Sequence, residues 1–579
     1  MSKTPNFDSR LDEILKNATA GPRTCALTKE EWELSQDEID WCKRLRVPPS
    51  KLTPNTRWKW MAYYDVGYQF WWNKHFDTGE PVLSFHHPAS GVRVLPDTEW
   101  HSRDFSDITL DHDPEKPFFD QLFELRGMVP QPATFNHKEP ENSIALFSFG
   151  DRDSYFTFAC RSARSYYLIG AFDVEDCSSI FLSSESTRSH AITHSHRIYN
   201  SRYIRESFDC MNSAFLFDCR NCENCFGATN KRNKKYLWFN EQLTQSEWEK
   251  RRAEVDLGKR SVVEEQMQKF EKMLIEETIW PENFNSGSED TTGDYLRDCT
   301  RCYYCFDSEK GPVDNFWCGW MYGAPTDNAF CWGTISSSEC YLSVSSPDSN
   351  KVKMCYRSSR CENSEYLIGC MDCRNCFGCV GLRKKEYCIF NKQYTEEEYW
   401  KRVDQIKTEL LESGEYGEYF PTKFSSAYVP ESGAPLYAGA SPEDLKALGG
   451  NEFDPNSEEA TRSEGVDFSA AKQAKDIPDS IDDLTDEWIG VPIYDPDAGR
   501  TFSILKPEAE YYRKERIAPP NDHFILRLKK LSEAGQKAQL KRRDCSVCEK
   551  KMVISVNKRY PERKIYCKSC YLKYLEQHG

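Results

Sequence analysis

Apolar positions between about residues 160 and 390 come in short runs separated by small polar residues. The runs are rich in aromatic and β-branched residues, span about four to seven positions, and are broken by Asn, Asp, Gly or Ser at intervals of roughly ten residues. No helical periodicity crosses them. They are therefore typical of β-strands: SYYLIGAF, SSIFLSS, SAFLFDC and KYLWFN in the first part, then NAFCWGT, CYLSVSS, EYLIGC and EYCIFN.

An internal repeat relates these two parts of the chain. The segments that begin at Phe208 and Ser359 align without a gap at a constant offset of 151 residues. Fixed-period similarity of this kind indicates a repeat architecture. The aligned cysteines are Cys210 with Cys361, Cys219 with Cys370, Cys222 with Cys373, and Cys225 with Cys376.

Short strands with small polar corners favour a mainly β fold, a right-handed parallel β-helix with duplicated halves. Equivalent residues stack in columns in such a solenoid. Most of the 19 cysteines from Cys160 to Cys388 are therefore predicted to line its interior as small apolar side chains. Asparagine tolerates left-handed geometry, so the corners are assigned to Asn212, Asn224, Asn363 and Asn375.

Helices are predicted to close each half. Thr244 and Thr395 are N-cap candidates before charged segments, and a further charged helix is expected from Val262 to Glu277. The predicted organisation is a degenerate zinc-ribbon-like arm (1–116), the first solenoid half (117–243), a helical insertion (244–293), the second half (294–394), a closing helix (395–413), an acidic disordered linker (414–487) and a basic arm with a zinc ribbon (488–579).

The two predicted arms, both of α+β type, are related by a second duplication. The segment from Trp32 aligns with the segment from Phe502 at an offset of 470 residues. Matched pairs include Glu38 with Glu508, Pro49 with Pro519, Arg57 with Arg527 and Lys59 with Lys529.

The C-terminal arm carries two CxxC pairs 18 residues apart, Cys545 with Cys548 and Cys567 with Cys570. Two such pairs joined by an apolar hairpin-like stretch are typical of a tetrahedral four-sulfur zinc site. Four thiolates fill the coordination shell, so the predicted zinc is structural. The alternative is that the pairs pack without metal.

The corresponding positions of the N-terminal arm are placed at about Phe76, Gly79, Pro96 and Glu99. Three of these four residues cannot bind zinc, and the arm is expected to fold by apolar packing. The alternative is that the similarity beyond Lys59 is accidental.

Other metal sites are weighed against bland interpretations. The spaced cysteines of the repeat could hold further zinc or an iron–sulfur cluster, although buried thiol columns are preferred. The motif H-x3-H-x-H places His194 and His196 on one face of a strand, where they could bind metal with His190. Surface or core positions are the commoner outcome for such histidines.

Charge is distributed unevenly along the chain. The net charge is −16, yet residues 523–579 contain 15 Lys and Arg against 5 Asp and Glu. A basic module beside a zinc ribbon favours a non-enzymatic scaffold that binds structured RNA or a ribonucleoprotein, for example the ribosome. The candidate contacts are Arg527, Lys529, Lys530, Lys541, Arg542, Arg543, Lys558, Arg559, Arg563 and Lys564.

Two other functions stay open. One is a protein-interaction solenoid without nucleic acid, which would use the solenoid face. The other is a carbohydrate-active β-helix enzyme. Asp173, Glu175 and Asp372 are acidic residues that nothing ties to catalysis, and no phosphate-binding, dinucleotide-binding or G-x-S-x-G motif is present.

The sequence contains no run of 18 apolar residues and no apolar signal segment near its N-terminus. A cytoplasmic protein without membrane contact is therefore expected. Its 25 cysteines are expected to be reduced thiols, some of them on metal.

The segments NCFGCVGLRKKEYCIFNKQYTEEEYWKR, PFFDQLFELRGMVPQPA and CSVC…YCKSCYLKYL resemble an uncharacterised family encoded by ultra-small uncultured bacteria. Some of its members carry a CoA-transferase label that no motif here supports. The resemblance covers nearly the whole chain and implies a cysteine-rich β-helix between two zinc-ribbon arms. Typical members have CxxC pairs in both arms, and this chain departs from them in the first arm and around residues 190–202.

Overall fold

A computed structural model describes residues 2–462 and 471–579 of the chain. The helices, in chain order, are α1 (Pro5–Asn17), α2 (Gln36–Leu45), α3 (Pro54–Ala62), α4 (Asp97–Ser102), α5 (Phe118–Met128), α6 (Gln245–Ala253), α7 (Arg260–Glu276), α8 (Glu396–Ser413), α9 (Gly433–Leu436), α10 (Pro442–Ala447), α11 (Glu458–Thr461), α12 (Lys506–Glu515), α13 (Phe524–Ala534) and α14 (Lys568–His578). No helix in these described ranges is long and apolar enough to cross a membrane.

The first strands, in chain order, are β1 (Gly21–Thr24), β2 (Glu31–Leu34), β3 (Trp71–Lys74), β4 (Pro81–Ser84), β5 (Val94–Leu95), β6 (Gln131–Pro132), β7 (Ile144–Ser148), β8 (Tyr155–Ala163), β9 (Tyr166–Glu175), β10 (Ser178–Ser184), β11 (His190–Thr193), β12 (His196–Tyr199), β13 (Arg202–Arg205), β14 (Phe208–Met211), β15 (Ala214–Phe217), β16 (Phe226–Thr229), β17 (Leu237–Trp238) and β18 (Glu241–Gln242). The remaining strands are β19 (Ile279–Pro281), β20 (Thr292–Leu296), β21 (Thr300–Ser308), β22 (Val313–Gly319), β23 (Ala329–Trp332), β24 (Tyr341–Val344), β25 (Arg374–Phe377), β26 (Glu386–Ile389), β27 (Lys392–Gln393), β28 (Lys472–Gln473), β29 (Ile493–Asp495), β30 (Arg500–Phe502), β31 (Lys537–Asp544), β32 (Lys551–Val556) and β33 (Lys564–Tyr566).

The chain folds as two compact units. In the described residues, the first unit contains 2–133, 283–462 and 538–540, and the second contains 134–282, 471–537 and 541–579. The first unit thus joins the N-terminal arm to the second half of the repeat. The second unit joins the first half of the repeat to most of the C-terminal arm.

Parallel strands at a constant register form the centre of the second unit. Strands β7 to β18 make one twelve-stranded sheet. Within it Ile180 pairs with Ile192, Ile192 with Ile204, and Ile204 with Leu216, a step of 12 residues at each pairing. Identical spacing places like side chains beside one another, so apolar columns form without long strands.

The first unit repeats this arrangement with cysteine in the columns. Strands β20 to β24 form a five-stranded parallel sheet, and β25, β26 and β27 form a three-stranded one. Cys318 pairs with Cys331 and Cys376 with Cys388. All 19 cysteines from Cys160 to Cys388 are buried and without a disulfide, as predicted.

Thiol groups in these columns are satisfied by backbone carbonyls. The Sγ atom of Cys219 lies 3.5 Å from the carbonyl oxygen of Phe217 and 3.4 Å from that of Ala228. Cys370 makes the same contacts with Ile368 and Cys379, at 3.6 and 3.4 Å. Burial with a weak S–H donor satisfied fits a packing role for these residues.

A left-handed residue recurs at every third position from Arg164 to Tyr236. Each such residue turns the chain, so the strands between turns stay short. Asn and Asp adopt this conformation at low cost, and the predicted corner residues Asn212, Asn224, Asn363 and Asn375 all have positive φ.

The predicted fold class, a mainly β right-handed parallel β-helix, is wrong. The structure is of mixed α/β type, with 28% helix and 31% strand, and its sheets are not closed or solenoid-like. The strand-like pattern covers only part of the chain, whereas the arms and the segments after Leu243 and Tyr394 are largely helical.

The predicted helix starts are confirmed. Thr395 accepts a hydrogen bond from the N–H of Glu398 at 3.3 Å, and Thr244 forms a capping box with Glu247. The charged helix predicted from Val262 to Glu277 is α7, which spans Arg260–Glu276.

The predicted acidic linker differs from expectation where it is described. Residues 414–462 and 471–487 contain short helices, and Phe420, Phe424 and Leu436 are buried. Their aromatic and aliphatic side chains outweigh the acidic composition on which the prediction rested. Residues 463–470 of the predicted linker lie outside the described residues.

Each arm packs onto its half of the repeat through a buried arginine. Arg57 forms an ion pair with Glu38, both side chains at most 3% exposed, and its guanidinium lies 3.8 Å from the centre of the Phe330 ring. The equivalent Arg527 lies 4.6 Å from the ring of Tyr167. The duplicated arms therefore share one mode of attachment.

Replacing Arg57 by methionine is expected to lower the free energy of unfolding of the first unit by about 3–5 kcal/mol, because Glu38 stays buried without its partner. Denaturation in urea, followed by tryptophan fluorescence, measures the loss. The double variant Glu38→Leu, Arg57→Met removes both charges and should lose less. Equal losses in the single and double variants would contradict a role for the unpaired charge.

Candidate metal centre

Cys545 and Cys548 lie in a tight turn between β31 and β32. The amide N–H of Cys545 donates to the carbonyl of Lys550 at 2.9 Å, and Glu549 donates back to the carbonyl of Cys545 at 3.1 Å. Glu549 has a φ of 58°, which closes the turn. We call this arrangement a knuckle. It directs both sulfurs of a CxxC pair to one side of the chain.

The second CxxC pair begins helix α14. Cys567 is the N-cap residue of this helix, and Cys570 lies in its first turn. The carbonyl of Ile565, in β33, accepts a 2.9 Å hydrogen bond from the amide of Ser546 in the knuckle. This backbone contact joins the two pairs independently of any metal.

The four sulfur atoms converge. All lie within 4.8 Å of one another, and the Sγ atoms of Cys548 and Cys567 are 3.6 Å apart. Cys545 and Cys567 are buried, Cys570 is half-buried and Cys548 is exposed. This group could hold a metal ion. Within the described residues no other group of three or more His, Cys, Asp or Glu is close enough to do so.

Local hydrogen bonds favour thiolate at two of the four positions. Burial opposes ionisation of Cys567, but the Ser569 hydroxyl and the Cys570 amide outweigh it and lower the pKa of Cys567 to about 6. Backbone N–H groups likewise outweigh burial and lower the pKa of Cys545. The hydrogen bond to Cys567 raises the pKa of Cys570 to about 12. The cluster thus holds negative charge that a cation can neutralise.

The same knuckle occurs at His75 in the N-terminal arm. His75 donates its amide to the carbonyl of Glu80 at 2.8 Å, and Gly79 donates to His75 at 3.0 Å, with a φ of 74° at Gly79. Pro96 is the N-cap residue of α4, as Cys567 is of α14. The equivalents of the four cysteines are therefore His75, Thr78, Pro96 and Glu99.

This placement corrects half of the predicted set. Pro96 and Glu99 are where the sequence comparison put them, but His75 and Thr78 replace Phe76 and Gly79. Weak similarity does not fix an alignment to one residue, whereas the hydrogen bonds of the knuckle do.

An ion-pair contact stands where the metal ligands would be. The Nδ1 atom of His75 accepts from the amides of Asp77 and Thr78 at 3.3 and 3.4 Å, so Nε2 carries the hydrogen. That Nε2 lies 3.0 Å from Oε2 of Glu99. The hydrogen bond from His75 holds the pKa of Glu99 below its ordinary value. This contact joins the two halves of the ribbon without metal.

A third knuckle, which the sequence analysis missed, begins at Cys25. Its amide donates to Glu30 at 2.8 Å, and Lys29, with a φ of 62°, donates back at 3.1 Å. Thr53 is the N-cap residue of α3. The four equivalent positions are Cys25, Thr28, Thr53 and Thr56, and the Cys25 sulfur lies 3.8 Å from the Thr56 hydroxyl.

The fourth knuckle begins at Asp495, in the C-terminal arm. Strand β29 pairs with β30 across it, and Gly499 has a φ of 63°. The amide of His523, the N-cap residue of α13, donates to Oδ2 of Asp495 at 2.7 Å, just as Cys567 donates to the Cys545 sulfur at 3.3 Å. The offset of 470 residues between the arms relates Asp495 to Cys25 and Cys545 to His75, and it was the available signal for both missed knuckles.

The ten basic candidate residues are not equivalent in the structure. Arg527 and Arg563 lie in the interior, where Arg563 donates to the carbonyl of Ser555 at 2.7 Å. Lys530 pairs with Asp522 at 2.7 Å and Arg559 with Glu271 at 3.0 Å. Lys529, Lys541 and Arg543 are half-buried. Arg542, Lys558 and Lys564 are exposed, as are Lys550, Lys551 and Lys568 near the cysteines.

The remaining candidates have local partners. His190 and His196 each contact a serine on the neighbouring strand, Ser178 at 2.8 Å and Ser184 at 2.5 Å. The structure does not bring the three histidines together as a metal site. Asp173 and Asp372 pair with arginines on neighbouring strands at 2.6 Å, and Glu175 pairs with Arg164.

Comparison with models of known protein families finds no match, and comparison with curated proteins finds none that is significant. The site is therefore interpreted from its own geometry.

Proposed function

We propose that the four cysteines bind one structural zinc ion. A tetrahedral site with Zn–S bonds of about 2.3 Å places its sulfurs about 3.8 Å apart. The 3.6 Å separation of the Cys548 and Cys567 sulfurs supports this spacing. Four thiolates leave no open coordination position for a substrate, so the ion holds the ribbon together and does no chemistry.

We further propose that the protein is a non-enzymatic scaffold whose zinc ribbon engages structured RNA or a ribonucleoprotein. The observation that carries this proposal is the row of exposed cations on and around the ribbon, with residues 523–579 holding 15 Lys and Arg against 5 Asp and Glu. Phosphate binding requires accessible cations, and Arg542, Lys558 and Lys564 meet that requirement. The buried free thiols support a reducing compartment such as the cytoplasm.

The triple variant Arg542→Ala, Lys558→Ala, Lys564→Ala tests this function. If these cations bind phosphates, the variant should bind structured RNA more weakly, and its salt dependence should fall by about one unit for each phosphate that is no longer neutralised. Fluorescence anisotropy with a labelled RNA hairpin across a range of salt concentrations gives both quantities.

A control of equal charge change uses Lys250, Lys269 and Lys272, exposed lysines on α6 and α7 of the same unit. Their replacement by alanine should leave the salt slope unchanged. If the parent protein does not bind RNA at low salt, or if both triple variants lose affinity equally, the RNA proposal fails. A protein-interaction scaffold would then take its place.

A further inference from the structure

A cavity of about 450 Å³ lies in the first unit, away from the knuckles. One wall comes from the C-terminal end of α2, including Arg44 and Arg46. A second is the column of strand-paired residues Lys353, Glu365 and Phe377, and the third comes from α8. Its volume falls within the range of small-molecule sites in proteins.

Two buried lysines in this cavity share one carboxylate. Nζ of Lys407 lies 2.8 Å from Oε1 of Glu365, and Nζ of Lys353 lies 3.8 Å from the same atom. The three side chains are at most 15% exposed. The nearby Asp8 is already paired with Arg46 at 2.9 Å. One carboxylate balances one ammonium, and burying a second without a partner is costly.

Further polar groups face the same space. Asn375 is nine-tenths buried in the cavity wall, and no hydrogen bond to its side-chain amide is found among the described residues. The indole N–H of Trp400 is buried and makes no hydrogen bond of normal geometry in the described part of the chain. Lys351 lies at the exposed rim, 4.0 Å from Glu339. Donors thus outnumber acceptors here, and the ring of Phe377 adds an apolar surface.

We propose that this cavity binds a small organic anion, with a phosphate or carboxylate group against Lys353 and Lys351 and its apolar body against Phe377 and Trp400. The anion supplies the negative charge that Glu365 alone does not, and it accepts hydrogen bonds from the amide of Asn375 and the indole of Trp400. Burial lowers the pKa of Lys353 to about 8, and a bound anion would raise it again.

The geometry favours a ligand over a purely structural role for the lysine pair. A structural ion pair needs only Lys407, which joins α8 to the column at hydrogen-bond distance. Lys353 adds a buried charge and contributes one long hydrogen bond, 3.3 Å to the carbonyl of Arg46. Replacing Lys353 should therefore weaken anion binding and leave the fold intact.

Isothermal titration of the full-length protein tests the site with three probes: AMP for phosphate, citrate for carboxylate and adenosine as the uncharged control. We expect one AMP or one citrate per chain with a Kd of about 1 mM or tighter, and no binding of adenosine. Whichever anion binds identifies the acidic group that the cavity prefers.

Three variants locate the binding. Lys353→Gln should weaken anion binding by about tenfold or more, and Asn375→Ala, which removes no hydrogen bond found among the described residues, by several-fold. Lys384→Gln changes an exposed lysine of the same unit and should bind as the parent does. Circular dichroism confirms that each variant is folded. The proposal is wrong if neither anion binds the parent, or if Lys353→Gln and Asn375→Ala both bind as tightly as the parent.

Discussion

Replacing Cys545 by serine is expected to abolish metal binding and to unfold the ribbon formed by β32, β33 and α14. Structural zinc in small ribbons contributes about 10–16 kcal/mol of binding free energy, which is coupled directly to folding. That exceeds what the few buried side chains of the ribbon, such as Met552, Ile554 and Ile565, supply without metal. The twelve-stranded sheet of the same unit should keep its structure, because its columns pack on one another.

Native mass spectrometry should show one zinc ion bound to the parent chain and none bound to the variant. Limited proteolysis should then cut the variant between β32 and α14. The matched control is Cys25→Ser, since Cys25 occupies the same knuckle position in the N-terminal arm, where the other three ligand positions are threonines. It should leave the zinc content unchanged. A metal-free parent chain, or zinc retained by Cys545→Ser, would contradict the proposed site.

The four cysteines were predictable because their geometry is local. A CxxC knuckle is a six-residue turn, and the second pair sits at the N-terminus of a helix, so sequence spacing largely determines both shapes. That the turn recurs at Cys25, His75 and Asp495 is visible only in the hydrogen bonds, because the ligand residues have changed while the backbone has not.

The basic surface was predictable only as a total charge. Composition cannot distinguish an exposed arginine from a buried one, and Arg527 and Arg563 contributed to the predicted surface although they lie in the interior. The duplication contained a warning, since Arg57 aligns with Arg527 in an arm with no comparable basic excess. A residue kept in both arms is more simply explained by packing than by RNA binding.

The fold class failed for a related reason. Short strand-like runs revealed the parallel register of 12 residues only indirectly, and they say nothing about the helices that surround them. Nor does local sequence indicate that the N-terminal arm belongs to the unit of the second repeat half. That pairing depends on residues far apart in sequence, such as Arg57 and Phe330.

The ribbon at Cys25 should become a second zinc site when Thr28, Thr53 and Thr56 are all replaced by cysteine. The backbone is already in place: the amide of Ala26 donates to the carbonyl of Lys51 at 2.9 Å, as Ser546 does to Ile565. The Cys25 sulfur and the Thr56 hydroxyl are 3.8 Å apart, close to the separation of about 3.8 Å expected between sulfurs on one zinc ion.

The electrostatics of this ribbon also suit a thiolate. Burial opposes ionisation of Cys25, but hydrogen bonds from Thr28 and neighbouring amides outweigh it and lower the pKa of Cys25 to about 7. Native mass spectrometry of the triple variant should therefore show two zinc ions per chain, against one in the parent. The double variant Thr28→Cys, Thr53→Cys supplies only three thiolates and should lose its extra zinc to a chelator well before the triple variant does. A triple variant that folds and still binds a single zinc ion would show that the knuckle at Cys25 resembles the one at Cys545 in its backbone alone.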